Sequence, residues 1–120
     1  MDFIEIPTSS SALRQIMYLP VAPNGKAFSA QLEIRYLRAP DRWFISVSDA
    51  ATGELYVNQI PLVCSYGVLN DLFFPFRYLF QGSGLGSFFC LKGVDKPDTP
   101  DPASGTLSQF RLFWGDEFEL

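Results

Sequence analysis

Three groups of residues in this 120-residue chain have types and spacing that could do chemistry. Gly82, Gly84 and Gly86 are spaced like a phosphate-cradling loop, which works by offering backbone amides at the start of a following helix. Here Phe88-Phe89-Cys90 follows, a β pattern, and there is no Gly-Lys-Ser/Thr ending, so the segment reads as a flexible turn. Asp95, Asp98 and Asp101 stand three apart among prolines. Calcium would need further oxygen ligands and a glycine-centred turn, so a solvated loop is expected. Cys64 could act as a nucleophile only beside a base, and the chain has no histidine. That absence removes Ser-His-Asp and Cys-His catalysis, imidazole metal ligation and a histidine pH switch. The apolar neighbours Leu62 and Val63 point instead to an inert buried thiol. No catalytic, cofactor-binding or metal-ligating residue is assigned, and the chain is not expected to be an enzyme.

Two cysteines, Cys64 and Cys90, are too few for a disulfide framework. Geometry permits one bridge between them, while buried free thiols suit their behaviour as small hydrophobes. Nine basic and 13 acidic residues give a net charge of -4, which argues against a nucleic-acid surface. The six arginines are dispersed; Arg35, Arg38 and Arg42 flank one hairpin and read as outward-facing strand and turn residues. Met1-Asp2-Phe3-Ile4-Glu5 lacks the positive segment and apolar run of a signal peptide. The longest apolar zone, residues 68–80, is broken by Asn70, Asp71, Pro75 and Arg77, well short of the roughly 18 apolar residues of a membrane span. The expectation is a soluble protein made in a reducing cytoplasm, with no membrane insertion.

The elements that would position any site are strands. From residue 27 to 37, Phe28, Ala30, Leu32, Ile34 and Tyr36 alternate with Ser29, Gln31, Glu33 and Arg35, the pattern of a half-buried strand. After the turn Ala39-Pro40-Asp41, residues 43–48 read as its antiparallel partner, with Trp43, Ile45 and Val47 facing the core. A turn at residues 49–53 leads into residues 55–63 and completes a meander. Residues 3–6 and 15–19 are further extended candidates, separated by a flexible joint at residues 8–11. Pro20, Pro23 and Asn24-Gly25 turn the chain into the long strand.

Val68, Leu69, Leu72 and Phe73 have helical spacing that Pro75 should stop, leaving a brief strand at residues 77–80. Residues 88–91 and 107–114 are the remaining strands, the last with Phe110, Leu112 and Trp114 on one face. The prediction is an all-β chain: a single small antiparallel β-roll or barrel of six to eight strands, with at most one short helical turn. Residues 1–17 would be an extended N-terminal arm and residues 18–120 the β domain.

Aromatic residues make up 16% of the chain, and twelve of them are Phe. Phe73, Phe74, Phe76, Tyr78 and Phe80 crowd into eight positions, while Phe44 and Phe113 point away from the faces assigned inward. A second core layer could hide such groups; burial against another protein is the reading preferred here. The candidate partner contacts are Phe3, Ile4, Phe44, Phe73, Phe74, Phe76 and Phe113.

The order of motifs resembles the small baseplate plug proteins of contractile-tailed bacteriophages. The resemblance rests on the proline-bearing turn and aromatic strand of residues 20–37, then Trp43-Phe44-Ile45-Ser46-Val47-Ser48-Asp49-Ala50 with Gly53. It continues through Ile60-Pro61-Leu62-Val63, the Leu- and Tyr-rich residues 69–79, and the Gly-rich turn and strand of residues 84–91. The acidic, proline-rich loop and Gly105-Thr106 before the strand ending at Trp114 complete it. It covers roughly residues 18–114; the first 17 residues and Phe73-Phe74-Pro75-Phe76 depart from the pattern.

The resemblance implies a structural virion protein of the tail baseplate that plugs or bridges the tail-tube end and central hub. It would contact hub and tail-tube proteins, with no catalytic residues to carry over. Several copies in a ring would bury the aromatic excess, and no cofactor is expected. The alternative is a small β binding module that recognises a cell-wall glycan, with Trp43 or Trp114 as the stacking platform.

Overall fold

Alternation of apolar and polar residues lets a strand bury one face and hydrate the other, and the meander follows that rule. The structure, a computed structural model, describes residues 3–21, 28–79 and 84–116. β3 (Phe28–Leu37) runs antiparallel to β4 (Arg42–Asp49), and β4 to β5 (Leu55–Pro61). Ala30, Leu32 and Ile34 on β3 and Trp43, Ile45 and Val47 on β4 are fully buried, on the faces the alternation assigns. β2 (Arg14–Val21) pairs with the other side of β3, so the sheet order is β2-β3-β4-β5.

The second sheet has the order β1-β7-β6, from β1 (Ile4–Ile6), β6 (Ser87–Lys92) and β7 (Phe110–Gly115), again antiparallel. Just past β5, Cys64 forms a parallel bridge to Cys90 of β6 and links the sheets. The chain is all-β, with seven strands among the described residues.

Local chemistry explains the meander turns. Asp41 closes the first at φ 62, and its carboxylate accepts bonds from the Tyr36 hydroxyl and, at 3.0 Å, the Ser104 amide. In the second, the Asp49 carboxylate accepts from the Ala51 amide at 2.8 Å, and Gly53 takes φ 78, a region open to residues without Cβ. A bulge interrupts the β4–β5 ladder, where Gln59 at φ 47 donates its amide to Ser46 Oγ at 2.8 Å.

The core lies between the sheets. Leu32, Ile34, Trp43 and Ile45 meet Phe88, Phe110, Leu112 and Trp114 in one buried cluster that also takes in Ile6, Leu62, Phe73, Leu85 and Leu107. A buried indole N–H must be satisfied, and here each ties down a loop. Trp43 Nε1 donates to the Ala103 carbonyl at 2.7 Å, and Trp114 Nε1 to the Leu85 carbonyl at 2.6 Å.

Several expectations change. Pro75 does not end a helical turn; it opens one, the 3-10 turn Phe74–Phe76, where its missing N–H is not needed. Arg77 and Tyr78 continue as a turn and not as a strand. A second 3-10 turn, Leu107–Gln109, precedes β7, so the last strand begins at Phe110.

Residues 1–17, expected as an added arm, contain β1 and the start of β2. Ile4 pairs with Trp114, Arg14 pairs with Arg35, and Ile6 is buried in the core. The serine joint is also tied down: Ser10 Oγ donates to Ser108 Oγ at 2.9 Å and accepts the Ser108 amide at 2.8 Å. The expected turn at Pro23 and Asn24-Gly25, the strand position at Phe80 and the Gly82 part of the glycine segment lie outside the described residues.

Candidate interaction surface

Alternation along β7 sends Phe110, Leu112 and Trp114 inward and therefore Arg111 and Phe113 outward. Across the sheet, Phe113 lies in register with Glu5 of β1 and Phe89 of β6. Phe3 lies against Phe89 with ring centroids 5.7 Å apart. These rings, with Leu69 and Leu91, form a groove of about 260 Å³ whose lining among the described residues is entirely apolar.

Gly115 makes room for it, because a Cβ there would stand 2.6 Å from the Phe3 ring and 2.9 Å from Phe3 Cα. One side of the apolar floor has a charged border. The Arg111 guanidinium sits 5.0 Å from the Phe113 ring centre and donates to the Glu5 carboxylate at 3.0 and 3.1 Å. That hydrogen bond holds the Glu5 carboxyl below its ordinary pKa. An apolar centre with a polar rim is the anatomy of a protein contact surface.

The outer face of the four-stranded sheet differs. Its rows carry Gln31, Glu33, Arg35, Ser46 and Ser48, with Arg14 bonded to Glu33 at 3.0 Å.

The seven candidate contacts therefore separate. Phe3 and Phe113 come together in the groove. Ile4 is 37% exposed, at the register position of inward-facing Trp114 on the edge strand β1. Phe44 is half-buried on the other sheet, opposite Arg35 and Pro61. Phe73 is a correction: it is fully buried, 5.0 Å from the Phe88 ring and edge-on to Trp114 at 5.7 Å, and cannot meet a partner. Phe76 is half-buried, edge-on to Phe73 at 6.3 Å. Phe74 is exposed, with the Arg77 guanidinium 4.5 Å above its ring.

Sequence reasoning missed Leu69, Phe89 and Leu91 as groove residues. The signal was the unbroken apolar run 88–91, which belongs to a strand apolar on both faces.

Asp71 places Phe73. Its carboxylate accepts the amides of Phe73 at 2.9 Å and Phe88 at 3.0 Å, the Ser87 hydroxyl at 2.8 Å and Arg77 at 3.3 Å. The side chain is nearly inaccessible, and four donors replace the lost water.

The acidic loop is bonded too, contrary to the expectation of simple solvation. Asp101 accepts the Cys64 amide at 2.8 Å and Arg42 at 3.2 Å, and Asp98 exchanges bonds with the Gln109 side chain at 2.7 and 2.9 Å. Among the described residues no group of three or more acidic or cysteine side chains is placed to hold a metal ion. Cys64 and Cys90 are free, buried thiols, and burial pushes the pKa of each up, away from the reactive thiolate.

Trp43 and Trp114 are fully buried with their indole N–H groups engaged, so neither is a stacking platform for a sugar. No helix among the described residues is long and apolar enough to cross a membrane. No protein-family model matches the chain, and no curated protein matches it significantly in sequence.

Proposed function

We propose that this chain is a structural protein of a contractile phage tail baseplate, plugging or bridging the tail-tube end and the central hub through protein-protein contacts. The motif order of residues 18–114 supplies that setting. The observation that carries the contact role is the groove of Phe3, Leu69, Phe89, Leu91 and Phe113 on the outside of a finished β-roll. The core is complete between the sheets without it, and apolar surface of this kind marks a binding site.

Hub and tail-tube proteins are the partners, Phe3 and Phe113 the central contacts, and several copies in a ring the arrangement. The bordering Glu5–Arg111 pair suits a part that is held before contraction and separates afterwards, because a mixed interface is weaker than a continuous core. The virion baseplate is the location, after synthesis in the host cytoplasm.

The test is capture of purified hub and tail-tube proteins on tagged full-length chain. Wild type retains at least one of them, and Phe113→Asp loses it while keeping a cooperative thermal transition. Retention of neither by wild type, or undiminished capture by Phe113→Asp, overturns the proposal.

A further inference from the structure

The four-stranded sheet ends at β2, and among the described residues no strand pairs with the outward edge of that strand. Antiparallel ladders alternate: residues that exchange bonds with one neighbour are followed by residues whose N–H and C=O point to the other side. The Tyr36 amide donates to the Leu13 carbonyl at 2.8 Å. That contact makes Leu13–Tyr36 a bonded pair and fixes Gln15–Ile34, Met17–Leu32 and Leu19–Ala30 as the next ones. The backbone groups of Arg14, Ile16 and Tyr18 therefore point away from β3, and no described strand lies on that side.

This open run is bounded. Pro20 brings no N–H, and at the other end the Gln15 side-chain amide donates to the Ala12 carbonyl at 2.9 Å. Leu13, Ile16 and Tyr18, 60%, 39% and 66% exposed, stand along this edge.

We propose that a second copy of this chain pairs here, β2 against β2, antiparallel about a two-fold axis at Ile16. The two four-stranded sheets become one continuous sheet. The register follows from the backbone groups. With Ile16 opposite Ile16 of the second copy and Arg14 opposite Tyr18 of the second copy, every outward N–H and C=O from Arg14 to Tyr18 finds its complement. A shift of two residues one way sets Pro20 against Arg14 and leaves the Arg14 carbonyl without a donor. A shift the other way sets Tyr18 against Ala12, whose carbonyl Gln15 already holds.

In the favoured register Leu13 faces Leu19 of the second copy, the Arg14 guanidinium stands beside a tyrosine ring, and no like charges meet. Ile16 thus meets its own copy, exposed Leu13 meets half-buried Leu19, and Tyr18 meets Arg14. A register in which the strand is its own backbone complement is what an isologous contact between identical chains requires. The inference does not depend on the baseplate reading.

Sedimentation of the full chain across micromolar concentrations tests it. Wild type moves from monomer to dimer, and Ile16→Lys, which sets two ammonium groups against each other at the axis, remains monomeric with its thermal transition retained. Phe113→Asp, on the other sheet, still dimerises. Facing bonded residues lie about 5.5 Å apart at Cα, within disulfide reach. Air oxidation with copper phenanthroline therefore joins Ile16→Cys into a covalent dimer, while Tyr18→Cys stays monomeric on a non-reducing gel. A wild type monomeric throughout, a dimer that survives Ile16→Lys, or crosslinking through Tyr18→Cys and not Ile16→Cys overturns the proposal.

Discussion

At the scale of single residues, a carboxylate organises the least regular part of the chain. Asp71 gathers two amides, a hydroxyl and a guanidinium from the 3-10 region and β6, and so drives Phe73 into the core. Asp71→Ala takes the acceptor from the amides of Phe73 and Phe88, which lie in buried surroundings. The expected loss is about 3–5 kcal/mol by urea denaturation, with a smaller loss for Asp71→Asn, whose amide oxygen still accepts. The two thiols behave alike. Burial raises the pKa of Cys90 and of Cys64, so each is protonated and shielded at neutral pH. Both are expected to resist Ellman's reagent until denaturant is added. A pKa raised by folding gives stability that is complete below the unfolded thiol value, near 9.0, and is lost as pH rises beyond it. Denaturation midpoints should therefore fall above that pH, by at most about 1.4 kcal/mol per pH unit for each thiol. Cys90→Val should flatten that slope.

At the scale of elements, close approach and turn geometry decide the outcome. Gly115 lets the chain entering β1 lie close against β7 with the Phe3 ring folded onto it. In Gly115→Ala the new methyl meets Phe3 Cα as well as its ring, so the strand itself must move. Faster hydrogen exchange at Ile4–Ile6 and weaker partner capture are expected, while the amides of β3 and β4 keep their protection. Gly53 is a contrasting case: at φ 78 nothing stands within 4 Å of the place a Cβ would take, so Gly53→Ala costs backbone strain alone. About 1–2 kcal/mol is expected by chemical denaturation, with the sheet register unchanged. The β3–β4 hairpin was readable in advance because its alternation and its turn are both local. The 3-10 turn around Pro75 was not, because the bonds that stabilise it come from Asp71 and from β6, which is far along the chain.

At the scale of the whole molecule, both sheets need the first residues of the chain. β1 covers one side of β7, Ile6 fills a core position and β2 closes the other sheet. Removing residues 1–12 is thus expected to cost at least the burial of Ile6, about 2–3 kcal/mol, and to open the β7 edge to association. Thermal unfolding followed by light scattering reads both effects; a truncated chain as stable and as disperse as wild type would mean that β1 contributes nothing. The two outer faces also differ in kind. One carries an apolar groove, while the other is mostly polar and ends at β2, beside which no described strand lies.

The sequence by itself determined the β class, the meander and the inward faces of β3, β4 and β7, because a period of two needs no knowledge of distant residues. The missing histidine likewise narrows the chemistry whatever the fold. Only the tertiary structure decided which aromatic residues stay outside. Phe73 and both tryptophans are buried, whereas Phe3 and Phe113 share a groove with Phe89 from another strand. Composition announced an aromatic excess, but burial depends on which strands become neighbours. That choice is made by long-range pairing, β1 with β7 and Cys64 with Cys90, which no local pattern encodes.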